Sequence, residues 1–132
     1  MNNWNYLKSV IDPQNNYYKF KRDNKILEKY NNFSKNIVDV HSYLMKTLFP
    51  NNEKITFKLN DFPYIVGNNV KHYLLWVNPN TNNFGFEDAE QIILDIIKNQ
   101  YVYDVKDYIL FRNNTVNKSV DYIEHYHVLL LI

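Results

Sequence analysis

The sequence contains no cysteine. Disulfides and thiolate metal sites are therefore excluded, and a reducing, cytoplasmic setting is expected. Glycine occurs twice and proline four times in 132 residues. That leaves few hard boundaries, and no linker, internal repeat or second domain is read. Charge of one sign is missing too. Fifteen Lys and Arg stand against 14 Asp and Glu, a net charge of +1. Non-specific binding to nucleic acid draws on a basic excess, so a bulk electrostatic role is not expected. The strongest basic run, Lys19 to Lys29, is interrupted by Asp23 and Glu28 and reads as a solvated helix face. Long apolar runs are also lacking, so no membrane span is expected. The opening Met1-Asn2-Asn3-Trp4-Asn5 has no apolar stretch behind it and reads as no signal peptide.

What is present is aromatic and amide-rich. Hydrophobic residues make up 45% and aromatic residues 17%, including 12 tyrosines, which argues for a packed core rather than disorder. Asparagine accounts for about one residue in six, well above ordinary usage. Asn, Ile, Lys and Tyr share AT-rich codons, so the bias reads as genomic, and the Asn pairs mark loops. The length suits one domain, 1–132, with a helical part over 1–50 and a sheet-bearing part over 54–132.

Periodicity supplies the elements. Asp23 is placed to cap a helix carrying Ile26, Leu27 and Tyr30 on one side. Ser34 is placed to cap a second, in which Ile37, Val38, His41, Met45 and Leu48 recur at helical spacing, and Pro50-Asn51-Asn52 ends it. Strict alternation in Lys54-Ile55-Thr56-Phe57-Lys58-Leu59 predicts a half-buried strand. Val70 to Val77 is apolar on both faces and predicts a central strand. Phe86 to Asn99 predicts a helix, with Ala89, Ile92, Ile93, Ile96 and Ile97 in one stripe and Glu87 and Asp88 at its positive end. Further strands are expected near Tyr108 to Arg112 and Ile123 to Leu131. This order predicts an α+β fold with an antiparallel sheet, helices on one of its faces, and a ligand or partner on the other.

The segment richest in chemistry is Ser119-Val120-Asp121-Tyr122-Ile123-Glu124-His125-Tyr126-His127-Val128. On a strand, His125 and His127 share a face about 7 Å apart. Each neutral ring needs a donor and an acceptor partner when buried, so such a pair is costly in a plain core. It suits a nucleophile with a supporting acid or base, or two metal ligands. Otherwise the pair is two half-exposed histidines satisfied by water. A metal centre lacks a near third ligand, because Glu124 falls on the opposite face and His72 and His41 are distant in sequence. No metal and no cofactor are expected. His72 reads as a hydrogen-bonding structural histidine, and Trp76, on its face, as core or as a flank for a base. Arg112 reads equally as a phosphate clamp and as a surface charge at a strand end. Glu124 or Asp61 can orient a histidine.

From about Asn60 onward the chain resembles the histidine-triad (HIT-like) superfamily of nucleotide hydrolases and transferases. The first element is similar to Phe62-Pro63-Tyr64 followed by Lys71-His72-Tyr73-Leu74-Leu75-Trp76-Val77-Asn78-Pro79. The second is similar to Phe111-Arg112-Asn113-Asn114, and the third to Lys118-Ser119-Val120 through His127. A nearer resemblance is to an uncharacterised family of fungal and large-DNA-virus proteins. Its pattern N-D-W-P-Y, H-x-x-x-W, F-x-N and S-V-x-x-x-E-H-F-H-V is met by Asn60 to Tyr64, His72 to Trp76, Phe111 to Asn113 and Ser119 to Val128. The resemblance implies attack by a strand histidine on phosphorus: His125 as nucleophile and His127 as its neighbour and phosphate donor, or the reverse. It further implies Ser119 as phosphate ligand and Asn113 as a ribose or phosphate contact. Lys118 stands where the superfamily has Gln and can neutralise phosphate. Two histidines rather than three stand in the strand. The implied activity is that of a phosphohydrolase or nucleotidyl transferase acting on a nucleotide-type phosphoester, or else a degenerate domain that binds a nucleotide or a protein. Such domains often pair, which implies a homodimer.

Overall fold

The computed structural model describes residues 4–11, 24–36, 40–61, 63, 67, 69–112 and 123–132. Along the chain they form α1 (Trp4–Val10), α2 (Asn24–Asn36), α3 (Val40–Leu48), β1 (Ile55–Leu59), β2 (Val70–Val77), α4 (Phe86–Lys98), β3 (Asp107–Phe111) and β4 (His125–Leu131). The strands make one antiparallel sheet in the order β1-β2-β4-β3. The two central strands are the most apolar segments of the sequence. β4 is buried at every position but its last, as expected of a strand covered on both sides.

Register divides the sheet into two faces. Leu75 lies opposite Phe57 and Tyr126, and with Val77, Leu110, Val128 and Leu130 these residues form one face. α4 covers it through Ala89 and Ile93, both fully buried, with Ile92, Ile96 and Ile97 beside them. This is the stripe expected from the sequence, over nearly the expected range. The start of α4 is fixed where Asp88 Oδ2 accepts the Gly85 N–H at 2.8 Å, and Glu87, Asp88 and Lys98 complement the helix dipole.

The other face carries Val70, His72, Leu74, Trp76, His125, His127, Leu129, Ile109 and Phe111. Helices cover this face as well, which corrects the expectation of helices on one face only. Trp4, Leu7 and Ile11 pack on Val70, Ile109, Phe111 and Leu129, and Leu44, Leu48 and Phe49 of the α3 region pack on Leu74, Trp76 and Ile123. The sequence shows why: this face is too apolar in its outer thirds to remain against water. Other corrections concern boundaries. Ser34 lies inside α2 rather than capping the next helix, which begins at Val40. Arg112 falls just past β3, and Ile123 and Glu124 just before β4. Asp23, Ile37 and Val38 lie outside the described residues. α1 falls within the part expected to be helical, 1–50, although no periodicity in the sequence singles it out.

Asn78, 1% exposed, is a structural asparagine at the exit of β2. Its amide donates to Asn52 Oδ1 at 3.1 Å and to the Glu53 carbonyl at 2.9 Å, and its Oδ1 accepts the Asn80 N–H. It ties the turn before β1 to the loop after β2. Asn52 itself has φ 58, a left-handed conformation that asparagine tolerates better than most residues.

Candidate functional site

Between the two apolar clusters on the α1/α3 face runs a row of polar side chains: Asn60, His72, His127 and His125, each at least nine-tenths buried. Antiparallel register assembles it. Leu74 stands opposite His127 and Trp76 opposite His125 on β2 and β4, with His72 one pleat along. The Asn60 N–H donates to the His72 carbonyl at 2.9 Å, which continues the β1–β2 pairing by one residue. His72, distant from the pair in sequence, is therefore its immediate neighbour in space.

Hydrogen-bond chemistry assigns the protons. His125 Nδ1 lies 2.9 Å from the Ile123 carbonyl oxygen. A carbonyl can only accept, so Nδ1 carries the hydrogen, and in the neutral ring the lone pair sits on Nε2. The Asn60 amide nitrogen lies 3.4 Å from His72 Nδ1, and an amide nitrogen can only donate. His72 Nε2 then carries the hydrogen and gives it to His127 Nδ1 at 2.7 Å. His127 in turn presents an N–H at Nε2. The row therefore runs in one direction, from Asn60 through His72 to His127, and ends in a donor beside a ring whose outer nitrogen is an acceptor or a nucleophile. The His125 and His127 ring centroids are 5.5 Å apart. Phe111 stacks on His127 at 5.1 Å and 17°, and Trp76 lies against His125 at 4.6 Å.

Trp76 is 7% exposed, and its Nε1–H has no hydrogen-bond partner among the described residues. A buried donor left without an acceptor costs about 1–3 kcal/mol. Trp4, by contrast, gives its indole N–H to Asp107 Oδ2 at 2.8 Å.

Glu124 and Arg112 are brought together, but on the opposite face. Arg112 Nη1 donates to Glu124 Oε1 at 2.9 Å, and its guanidinium carbon lies 5.7 Å from the Tyr126 ring centroid. The Tyr126 hydroxyl donates to the same Glu124 oxygen at 3.0 Å. Burial, reinforced by the Glu124 charge and hydrogen bond, pushes the Tyr126 phenol up to about 12 although Arg112 pulls the other way. Arg112 is thus committed to an ion pair at the strand end, on the α4 face and away from the histidines. Glu124 orients Tyr126 rather than an imidazole. Asp61 pairs with Lys58 at 3.5 Å on the surface. Asn113, Lys118 and Ser119 lie outside the described residues. Among the described residues no three His, Asp or Glu side chains are grouped so as to hold a metal ion, and no helix is long and apolar enough to cross a membrane.

Two hydrogen-bonding groups of this face are not legible as such in the sequence. Asn60 entered only as an anchor of a family pattern. Extending the alternation of β1 by one residue places it on the face of Thr56 and Lys58, which is the histidine face. Trp76 reads from the sequence as core or as a flank for a base, and neither reading draws on its indole N–H as a hydrogen-bond donor.

The fold has a counterpart among solved structures. The crystal structure of HTC1 matches over 86% of this chain and 76% of its own, with a TM-score of 0.57 and 22% sequence identity. At that identity the likeness is one of fold. No curated protein matches the chain. The model of the family described as "Protein of unknown function (DUF3605)" matches residues 3–131, nearly the whole sequence, and the chain belongs to that family.

Proposed function

We propose that this chain is a HIT-like phosphohydrolase or nucleotidyl transferase that acts on a nucleotide-type phosphoester through His125. The observation that carries this reading is the hydrogen bonding of the histidine pair, from which their tautomers are assigned. The Ile123 carbonyl holds the Nδ1 hydrogen of His125, so Nε2 is the basic and nucleophilic nitrogen of the neutral ring. The Asn60–His72 chain sets His127 as a donor beside it. In the reaction, His125 Nε2 bonds to phosphorus as the bond to the leaving oxygen breaks. The ring becomes cationic and keeps its Nδ1 hydrogen on the carbonyl. His127 Nε2–H stabilises the charge on a phosphoryl oxygen. Water or a second acceptor then takes the group and restores the neutral imidazole. Ser119, Lys118 and Asn113 are the proposed remaining phosphate and ribose contacts, and the chemistry calls for no metal.

The experiment is a thermal-shift screen of wild type and His125→Ala against mononucleotides and dinucleoside polyphosphates, with product analysis of each stabilising compound. Stabilisation and cleavage by wild type, both lost in the variant, are expected. Ligand-independent melting with no product would sink the proposal. The burial of His125 and His127, at 8% and 3% exposed, favours one second reading: a degenerate HIT-like domain that binds a nucleotide or a protein partner without turnover. Stabilisation with no product would select it.

A further inference from the structure

We infer that the indole N–H of Trp76 is a ligand contact, donating to an oxygen of the same phosphoryl group that His125 attacks. The inference rests on the proposed function and adds a residue to its site. Trp76 is the direct cross-strand partner of His125, and the two rings are in contact. Its nitrogen is buried with no hydrogen-bond partner among the described residues: the side chains of its apolar cluster (Leu44, Leu48, Phe49, Leu74 and Ile123) carry no acceptor group, and its cross-strand neighbours Thr56 and His125 do not accept from it. Buried indole N–H groups ordinarily find a partner, as Trp4 does in this protein. An orphan donor at the edge of the polar row therefore marks a place where an acceptor arrives with the ligand.

The chemistry favours a phosphoryl oxygen. Indole is a neutral donor that cannot accept, and so it complements an anionic oxygen and discriminates against a hydroxyl acting as donor. With His127 Nε2–H it would give two donors, each on a ring adjoining the His125 imidazole. The strand itself holds two histidines, so a donor from β2 supplies a further hydrogen bond to the group in flight. Trp76 is a binding residue here, acting on the oxygen that gains charge as His125 attacks.

The sequence has two tryptophans, so protein labelled with nitrogen-15 at its indole nitrogens gives two N–H resonances, and Trp4→Phe assigns them. AMP, inorganic phosphate and adenosine are titrated in turn. The expected result is a saturable downfield movement of the Trp76 proton with AMP and with phosphate but not with adenosine, while the Trp4 signal stays in place. Trp76→Phe, which removes the N–H and keeps an aromatic ring, is expected to weaken AMP binding about 3- to 10-fold. The wild-type titration does not depend on how well that variant folds. Binding of AMP that shifts the histidine ring signals and leaves Trp76 unmoved would overturn the inference and spare the proposed function. Movement with adenosine alone would assign Trp76 to the base and overturn it equally. No response of either tryptophan or any histidine to any probe would remove both.

Discussion

His72 sits at the middle of the buried row with a neighbour on each ring nitrogen, Asn60 on one and His127 on the other. Replacing it with phenylalanine keeps the volume but takes an acceptor from Asn60 and a donor from His127. Each loss leaves a buried polar group short of that bond, at about 1–3 kcal/mol. His72→Phe is therefore expected to lower the urea midpoint by an amount worth about 2 kcal/mol or more. A neutral result would mean that His72 contributes packing alone. On the other face, Tyr126 is the phenol that resists ionisation. Its folded pKa of about 12 lies above the ordinary value near 10, so between the two the unfolded chain releases this proton first. The stabilisation linked to Tyr126 is whole below pH 10 and is lost as pH rises towards 12. Tyrosinate absorbance should show a late-titrating group that Tyr126→Phe removes. At this scale the sequence revealed the pair but not its setting. Two histidines spaced by one residue must share a strand face, whereas their partners Asn60 and His72 come from 65 and 53 residues before His125, and only pairing register brings them near.

α1 is seven residues long, too short to persist by its own propensity. What holds it is contact: Trp4, Leu7 and Ile11 on the sheet, and two hydrogen bonds to one carboxylate. Trp4 Nε1 and Lys8 Nζ each reach Asp107 Oδ2 at 2.8 Å. Burial pushes the Asp107 carboxyl up, but those two bonds, the Tyr108 amide and the Lys8 charge together outweigh it and hold the pKa below 3.8. A depressed carboxylate stabilises the fold above its unfolded pKa, and that contribution fades as pH falls through the folded value. Acidification below pH 4 should therefore loosen α1, seen as a change in Trp4 fluorescence measured in Trp76→Phe. Asp107→Asn should show a flatter acid profile and a loss of about 1 kcal/mol or less at neutral pH, because the pair is partly exposed. If the acid profiles of the two proteins coincide, the carboxylate does not anchor the helix. The same physics explains which elements could be read in the sequence. β1 and α4 carry their period in their own residues and were placed almost to the residue. α1 owes its existence to the sheet it touches. The spacing of Ile37, Val38, His41, Met45 and Leu48 suggests a helix capped by Ser34, but Ser34 lies within α2; a helical period alone does not place a cap.

At the scale of the whole molecule, β4 couples the layers. Val128 and Leu130 belong to the cluster under α4, Leu129 to the cluster under α1, and His125 and His127 lie between the α1 and α3 clusters. A strand whose alternate residues anchor opposite layers cannot lose one layer without exposing apolar surface of the other. Ile93→Ala, made on the α4 face where Ile93 is fully buried, should cost about 2–5 kcal/mol, with part of that loss felt across the sheet. The expected sign is a single urea transition in which far-ultraviolet dichroism, which reports helices and sheet, and Trp4 fluorescence, which reports α1 when read in a Trp76→Phe background, coincide with and without Ile93→Ala. The midpoint should fall in the variant and the slope should stay the same. An earlier Trp4 transition, unmoved by Ile93→Ala, would show instead that the two faces unfold independently. The histidine row would then be held only by the α1 and α3 layer. Which result obtains bears directly on the site. His125 and His127 are buried in the fold as it stands, so a ligand that reaches them must displace part of what covers them, and the coupling through β4 sets how much of the fold responds when it does.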